Sequence, residues 1–327
     1  MKHKFVILVF CCIMAFLGDI ALGSVTISFK EIYNALFVNS DSIYYQIIIN
    51  HRLPKALTAL HIGGALAVAG LLMQTLFKNP LAGPDVLGIN SGASLGVALL
   101  TLGGASFPFF LSSAYTQVVA AILGAILILL LVLLTSTKVK STVSLLIVGV
   151  MFGYFTSSIV SILQNLSNPD TLKLFITWTF GSLSAVSWDQ MKILSPTLIG
   201  MVFCTFLIVK QLNVFLLGSK YAKGLGVSVE KTRFYIILLT AVLAGTATAF
   251  TGPIGFIGVT MPHIARGLFQ TSNHKIILPA SILCGATVLL ICDIISQLPT
   301  FNATLPINAV TSLFGAPIIL WILLKKR

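Results

Sequence analysis

The chain has 327 residues, of which 57% are hydrophobic and only 9% are charged, and its formal net charge is +12. Soluble domains carry about 25% charged residues, so this composition excludes a soluble globular protein. We predict a polytopic membrane protein whose backbone pairs within helices, because the apolar runs lack the alternation of barrel strands. In a membrane protein the positive charge indicates orientation, and no nucleic-acid partner is expected.

Ten apolar segments predict transmembrane helices in an all-α fold with a single domain, residues 1–327. The segments are residues 5–22, 56–77, 89–110, 114–136, 142–163, 193–209, 234–251, 253–269, 276–298 and 307–324. The first follows a basic start, as a cleaved signal peptide also would. We favour an uncleaved helix because nine further spans follow it. The eighth is the weakest prediction, because it contains Pro262, His263 and Arg266.

The basic residues are distributed unevenly over the predicted connections. With ten spans and a cytoplasmic N-terminus, fifteen of the 20 lysines and arginines fall on the cytoplasmic side. An excess of basic residues in cytoplasmic connections is the rule for membrane proteins. We therefore predict that both termini are cytoplasmic and that the larger external segments are residues 24–55 and 164–192, the second with a short surface helix.

The segment 78–88, KNPLAGPDVLG, is a polar interruption between two apolar runs. Pro80 and Pro84 disfavour a helix in the residues that precede them, and the asparagine and aspartate of the segment are turn formers. We predict a turn at the cytoplasmic surface. Downstream, glycine recurs every four residues from Gly88 to Gly96, which leaves one helix face bare for close packing.

The chain contains a weak internal repeat. A shift of 182 positions aligns Gly63 with Gly245 and gives seven identities in 24 positions. The two copies fall in spans of opposite predicted orientation, an arrangement common in transporters. We predict an inverted repeat of helices 2–5 and 7–10, approximately residues 51–166 and 230–327. The alternative is that helices rich in glycine and alanine resemble one another without a repeat.

Four blocks, in this order, resemble the signature blocks of the FecCD-type permeases. They are RLPKAL (52–57), GGALAVAGLLMQTLFKNPLAGPDVLGINSGASLG (63–96), LNVFLLGSKYAKGLGV (212–227) and GPIGFIGVTMPHIARGLF (252–269). These permeases are the membrane subunits of binding-protein-dependent ABC importers for iron–siderophores, haem and cobalamin. The resemblance implies import of a ferric siderophore, with haem or cobalamin as the alternative cargo.

The resemblance also implies the partners and the location of the chain. We expect a second permease subunit in a homo- or heterodimer, two cytoplasmic ATPase subunits and an extracytoplasmic substrate-binding protein, in a bacterial cell membrane. The chain has no GxxxxGK[ST] phosphate loop, so ATP is expected to be used by the partner subunit, with no cofactor bound here and no enzyme activity. The alternative of a different class is an ion-coupled secondary transporter, which predicts several intramembrane carboxylates.

On the cytoplasmic side, the loop at approximately residues 210–229 resembles the coupling element of the family, two short helices seated in the ATPase. An amphipathic loop on anionic lipid is the alternative. Its candidate contact residues are Leu217, Gly218, Lys220, Ala222, Leu225 and Gly226. Ser141 and Thr142 resemble the cytoplasmic gate of the family, and a plain helix N-cap is the alternative there.

On the external side, Arg52 and Lys55 resemble the basic position that docks the binding protein, with anchoring at lipid headgroups as the alternative. The resemblance places the pathway on the fifth and tenth helices, including Gln164 and Asn165 near the outer end.

Asp293 is a carboxylate deep in an apolar span, and we identify no other. We predict a structural role, with Arg266 or a helix N-terminus as its partner, against the alternative of proton coupling. The family commonly has an arginine shortly after this position, and this chain does not. The five cysteines form no Cys/His cluster, so no metal site is expected.

Overall fold

A computed structural model describes residues 1–23, 27–37, 43–103, 114–139, 141–297 and 304–325. These ranges contain helices and no β-strand, as the sequence predicts. A π-helical turn, Ile48–Arg52, precedes α4, and a 3₁₀ turn, Pro84–Leu87, precedes α5. The α-helices are α1 (Lys2–Ala21), α2 (Phe29–Phe37), α3 (Ile43–Ile47), α4 (Leu53–Phe77), α5 (Ile89–Thr101), α6 (Ala114–Lys138), α7 (Thr142–Leu166), α8 (Pro169–Thr179), α9 (Trp188–Leu207), α10 (Val209–Leu216), α11 (Ser219–Gly224), α12 (Val229–Thr251), α13 (Ile257–Phe269), α14 (His274–Ser296) and α15 (Ile307–Lys325).

Each of the ten predicted spans overlaps one helix, and α8 is the short helix predicted within residues 164–192; its external side stays a prediction. Among the described residues, seven helices are long and apolar enough to cross a membrane. The third and eighth spans, α5 and α13, have 13 residues each. That length is about 20 Å of helix, whereas a bilayer core is about 30 Å thick. The count of ten is therefore approximate, and residues 104–110 of the third span lie outside the described residues.

The predicted surface turn is present at the start of the segment between α4 and α5, where Pro80 and Leu81 are exposed and the Ala82 amide donates to the Asn79 carbonyl oxygen at 3.1 Å. The rest of the segment does not stay at the surface. A Cβ added to Gly258 of α13 would lie 2.7 Å from Pro84 Cδ and 3.0 Å from the Leu66 carbonyl oxygen. Leu66 is eleven residues before the end of α4, which is about 16 Å along the helix. The chain thus re-enters the bundle before α5 begins. Irregular backbone is tolerated at this depth because it is buried in protein.

The central helix of the bundle is α4, which packs against α9, α12, α13 and α14. Where α4 crosses α14, Gly63 and Gly285 approach so closely that a Cβ on either would overlap the carbonyl oxygen of the other. The glycine face of α5 has the same role, because Gly92 and Gly96 lie against the backbone of α6 around Gly124. Small residues permit such contacts between membrane helices, so the predicted close packing is confirmed.

The helix contacts follow the pattern expected of a repeat. In the first half α4 packs on α13 and α14, and in the second half α12 packs on α5 and α6. The two glycines that the sequence aligns occupy equivalent crossings, since Gly63 faces Gly285 of α14 and Gly245 faces Ala125 of α6. The boundaries of the two halves and their opposite orientations stay predictions.

Candidate functional site

A cavity of about 480 Å³ lies where the two short helices, α5 and α13, begin. The cavity is also lined by α7, α8 and the start of α15. Within the described part of the chain, no lysine or arginine lines it. The polar lining residues are Asp85, Asn90, Ser91, Ser94, Ser157, Ser161, Gln164, Thr179 and Asn308. The cavity therefore presents hydroxyl and amide groups and one carboxylate.

Asp85 is oriented by hydrogen bonds that connect the re-entrant segment to α5 and α12. Asn90 Nδ2 donates to Asp85 Oδ1, and Thr248 Oγ1 donates to Asn90 Oδ1 at 2.8 Å. In the same cavity, the Gly255 amide donates to Asn308 Oδ1 at 3.0 Å. The side chain of Asp85 is exposed and lines the cavity, so its carboxylate sets the sign of the local charge.

Of the two predicted lining residues, the structure places Gln164 in the cavity lining, and Asn165 is exposed without lining it. Successive residues of an α-helix point about 100° apart, so neighbours rarely share one face. The serines of the lining were not predicted from the sequence. Their spacing was the available signal, because Ser157 and Ser161 lie four residues apart on one face of α7. A role of these residues in transport stays a prediction.

A buried ionic cluster joins α1, α4 and α14. Lys55 Nζ lies 3.2 Å from Asp19 Oδ1 and 2.7 Å from Asp293 Oδ2, and none of these three side chains is more than 4% exposed. Lys55 Nζ also donates to Gln297 Oε1 at 2.9 Å. Gln297 Nε2 in turn donates to Asp293 Oδ1 at 3.2 Å. This arrangement is a structural junction between three helices.

Two predictions about Asp293 are wrong. Its partner is Lys55 and not Arg266, whose Nη1 donates to Gln74 Oε1 at 2.5 Å. Asp293 is also not the single buried carboxylate, because Asp19 in α1 is fully buried. Asp19 lies in the last turn of its helix, where a carboxylate is ordinarily solvated. Its burial follows from the packing of α1 against α14, which the sequence does not show.

The two candidate docking cations, Arg52 and Lys55, do not form an exposed rim. Arg52 is 7% exposed, and its Nη1 donates to the carbonyl oxygens of Ile20 and Ala21 at 2.7 and 2.9 Å. Arg52 thereby satisfies carbonyl groups at the C-terminal end of α1. Docking to a binding protein requires exposed cations, and neither residue is exposed. Their docking role stays a prediction, and their burial argues against it.

The candidate gate residues lie at the start of α7. Ser141 Oγ accepts a hydrogen bond from the Ser144 amide at 3.3 Å, so Ser141 caps the helix. The N-cap alternative is confirmed. Thr142 is the first residue of α7 and is partly exposed. The gate role of both residues stays a prediction.

The loop at residues 210–229 contains two short helices, α10 and α11, as the resemblance implies. Gly218 joins them with a φ of 109°, a backbone conformation that only glycine adopts readily. Gly226 follows α11 and would have open space around an added Cβ. Ala222 is fully buried, so it anchors α11 and does not offer a contact surface.

The outer face of this loop is apolar and exposed. Leu217, Tyr221 and Leu225 are 61%, 72% and 63% exposed. Lys223 Nζ lies 3.7 Å from Glu230 Oε1, and both side chains are exposed. The side chain of Lys220 lies outside the described residues. We call Leu217, Tyr221 and Leu225 the loop patch; exposed apolar side chains of this kind suit contact with a protein partner or with lipid.

Comparison with known proteins shows which proteins the chain is similar to. The model of the FecCD transport family matches residues 7–325. The hemin transport system permease protein HmuU of Yersinia pestis is 34% identical over 312 residues, which are 95% of this chain and 92% of the relative. The vitamin B12 import system permease protein BtuC of Vibrio cholerae is 36% identical over 298 residues, 91% of this chain and 88% of the relative.

Solved structures agree with these relatives. An inward-facing conformation of a transporter described as of the metal-chelate ABC type matches with a TM-score of 0.88 and 30% identity, and the match covers 100% of this chain and 99% of that one. PsaBC from Streptococcus pneumoniae matches with a TM-score of 0.53 and 17% identity, over 90% of this chain and 94% of that one, which shows a shared fold.

Proposed function

This chain belongs to the FecCD transport family and is the membrane permease subunit of an ABC importer, and on that premise we propose that its cargo is a ferric siderophore. ATP hydrolysis belongs to a separate ATPase subunit of such importers, so the chain is a multi-pass transport protein and not an enzyme.

The polar lining of the cavity supports a siderophore. Nine of the fourteen lining residues are polar, and Asp85 is the charged one among them. A ferric hydroxamate is a neutral or cationic chelate rich in hydrogen-bonding groups, which serine, asparagine and glutamine side chains can solvate. Haem carries two carboxylates on an apolar ring, and Asp85 would repel them without a neighbouring cation in the lining. Unfavourable charge contacts of this kind discriminate between ligands.

The names of the relatives favour a second candidate cargo. HmuU is named for hemin transport and BtuC for vitamin B12 import. The amide side chains of a neutral cobalamin would suit the same lining, so cobalamin is the stronger of these two alternatives.

Uptake by reconstituted transporter tests the cargo. The permease is placed in liposomes with its ATPase and substrate-binding protein, and accumulation of labelled ferric hydroxamate, ferric catecholate, haem and cobalamin is measured. We expect ATP-dependent accumulation of the ferric hydroxamate. Accumulation of haem or cobalamin alone would contradict the siderophore, and accumulation without the ATPase would favour an ion-coupled transporter.

We also propose the assembly: a second permease subunit, two ATPase subunits and an extracytoplasmic binding protein, in a bacterial cell membrane with both termini cytoplasmic. The loop patch supports ATPase docking, because it is an exposed apolar surface on a connection between helices. An apolar stripe along α7 supports a second permease subunit, since its residues recur every three or four positions. The stripe residues, each more than half exposed, are Val143, Ile147, Met151, Tyr154 and Phe155.

A further inference from the structure

A chain of hydrogen bonds begins at Asn213 of α10, in the loop at residues 210–229. We call this loop the coupling loop. Asn213 Oδ1 accepts from the backbone amide of His274 at 2.8 Å and lies 2.9 Å from His274 Nδ1. Asn213 Nδ2 donates to Asn273 Oδ1 at 3.0 Å, and Asn273 caps α14. Because a backbone amide can only donate, the atom of Asn213 that faces His274 is the oxygen. The coupling loop is therefore bonded directly to the first turn of α14.

His274 carries this connection into the bundle. Its side chain is buried, and its Nε2 lies 2.8 Å from Thr75 Oγ1 of α4. Since Asn213 Oδ1 is an acceptor, Nδ1 must carry a proton. Thr75 Oγ1 also lies 2.8 Å from the Leu71 carbonyl oxygen, and its one proton is shared between the two acceptors. A neutral imidazole accepts that proton at Nε2 when the hydroxyl turns from Leu71 to His274. One side chain thus joins α10, α14 and α4.

Gln74, the residue of α4 that precedes Thr75, continues the connection to α13 and the cavity. Gln74 is 4% exposed, accepts from Arg266 Nη1 at 2.5 Å and donates to the Val259 carbonyl oxygen at 2.9 Å. Val259 and Gly258 of α13 pack on the re-entrant segment. A Cβ added to Gly83 would lie 2.7 Å from Val259 Cγ2, and one added to Gly258 would lie 2.7 Å from Pro84 Cδ. Asp85 follows Pro84 and lines the cavity.

We propose that His274 is a positioning residue that transmits movement of the coupling loop to α4, and through Gln74 to the re-entrant segment at the cavity. The proposal rests on the proposed function, because it requires an ATPase that moves the loop. Buried and mutually satisfied polar contacts hold the connected helices in defined positions. Displacement of α10 therefore shifts the ends of α14 and α4 together, and the cavity wall with them.

A fluorescent reporter in the cavity tests the proposal. Ser157→Cys, in a background with the five native cysteines replaced, is labelled with bimane in the permease–ATPase complex. ATP with vanadate is then added and the emission maximum is followed. We expect a shift in the parent complex and loss of that shift in His274→Leu, with the copurified ATPase and its basal hydrolysis retained. Asn213→Leu, on the proposed docking loop itself, should also lose the shift. Thr75→Val, which removes one hydroxyl at nearly constant volume, should reduce the shift.

Matched variants separate transmission from general stability. Asn213→Asp keeps the oxygen that accepts from His274 and removes the Nδ2 donor to Asn273. The shift should be retained, because the contact with His274 carries the transmission. His61→Leu removes another histidine bonded to a side chain, Ser195 at 3.3 Å, in α4 but outside the network, and the shift should also be retained. An undiminished shift in His274→Leu and Asn213→Leu would overturn the proposal. A parent complex that hydrolyses ATP without any shift would overturn both the proposal and the importer mechanism on which it rests.

Discussion

Lys55 places one ammonium group between two carboxylates in the interior of a helical bundle. Removing such charges from water is unfavourable, and the attraction between them offsets that cost only while every partner is present. Lys55 Nζ contacts Asp19, Asp293 and Gln297, so the two buried carboxylates depend on the lysine. The cluster therefore contributes little more stability than an apolar junction would, but removal of one of its members is strongly destabilising.

The Lys55→Met variant tests this balance. The substitution leaves Asp19 and Asp293 buried without their shared cation, which is expected to lower the free energy of unfolding by about 3–5 kcal/mol. Thermal unfolding of the purified permease in detergent measures the change.

Lys192→Met is the matched control, because Lys192 Nζ also lies 2.7 Å from a carboxylate, Asp189 Oδ1, but both side chains are more than 70% exposed. Water screens an exposed pair, so its loss should shift the melting temperature far less. If instead Lys55→Met left stability intact and weakened capture of the binding protein, Lys55 would be a docking residue and not a junction.

At the scale of elements, the helices α10 and α11 combine an anchored side and a free side. Leu212, Phe215 and Ala222 are buried, whereas Leu217 and its neighbours in the loop patch are exposed. An amphipathic connection of this kind holds its position on the bundle while it offers an apolar surface to a partner. The expected partner is the ATPase.

Leu217→Ser should therefore weaken ATPase binding. Burying one leucine contributes about 1.5–3 kcal/mol, which corresponds to roughly ten-fold or more in affinity. The measurement is titration of the detergent-solubilised permease with the purified ATPase subunit.

Leu174→Ser on α8 is the control, because Leu174 is 56% exposed on a different element. Its affinity for the ATPase should equal that of the parent. Equal weakening by the two substitutions would show that the loop patch is not the docking surface.

At the scale of the whole molecule, α7 is largely uncovered, because only 22% of its apolar 18-residue stretch is buried. In the proposed dimer this helix faces the second permease subunit, and Thr142, the proposed gate residue, is its first residue. Thr142→Cys should then form crosslinks across the dimer whose yield changes when ATP and vanadate are added. Phe203→Cys on α9, a site that is 63% exposed, should form none in either state. A crosslink yield from Thr142→Cys that is the same with and without ATP and vanadate would argue against a gate.

The sequence by itself determined the membrane class, the approximate positions of the transmembrane helices and the family resemblance. Hydropathy is sufficient for the first two, because a backbone in lipid must bond within its own helix and so reveals each span locally. The cap at Ser141 and the glycine face of α5 were also predictable, since both depend on residues within one or two turns of each other.

Only the tertiary structure decided the depth of the re-entrant segment, the burial of Lys55 and the partner of Asp293. The contacts responsible join residues far apart in the chain, such as Lys55 and Gln297 at a separation of 242 positions. The local sequence around a polar residue near a helix end does not distinguish a residue that faces water from one that faces another helix. Which neighbour covers it is settled by how the helices pack, and that packing brings an ammonium and two carboxylates together inside the bundle.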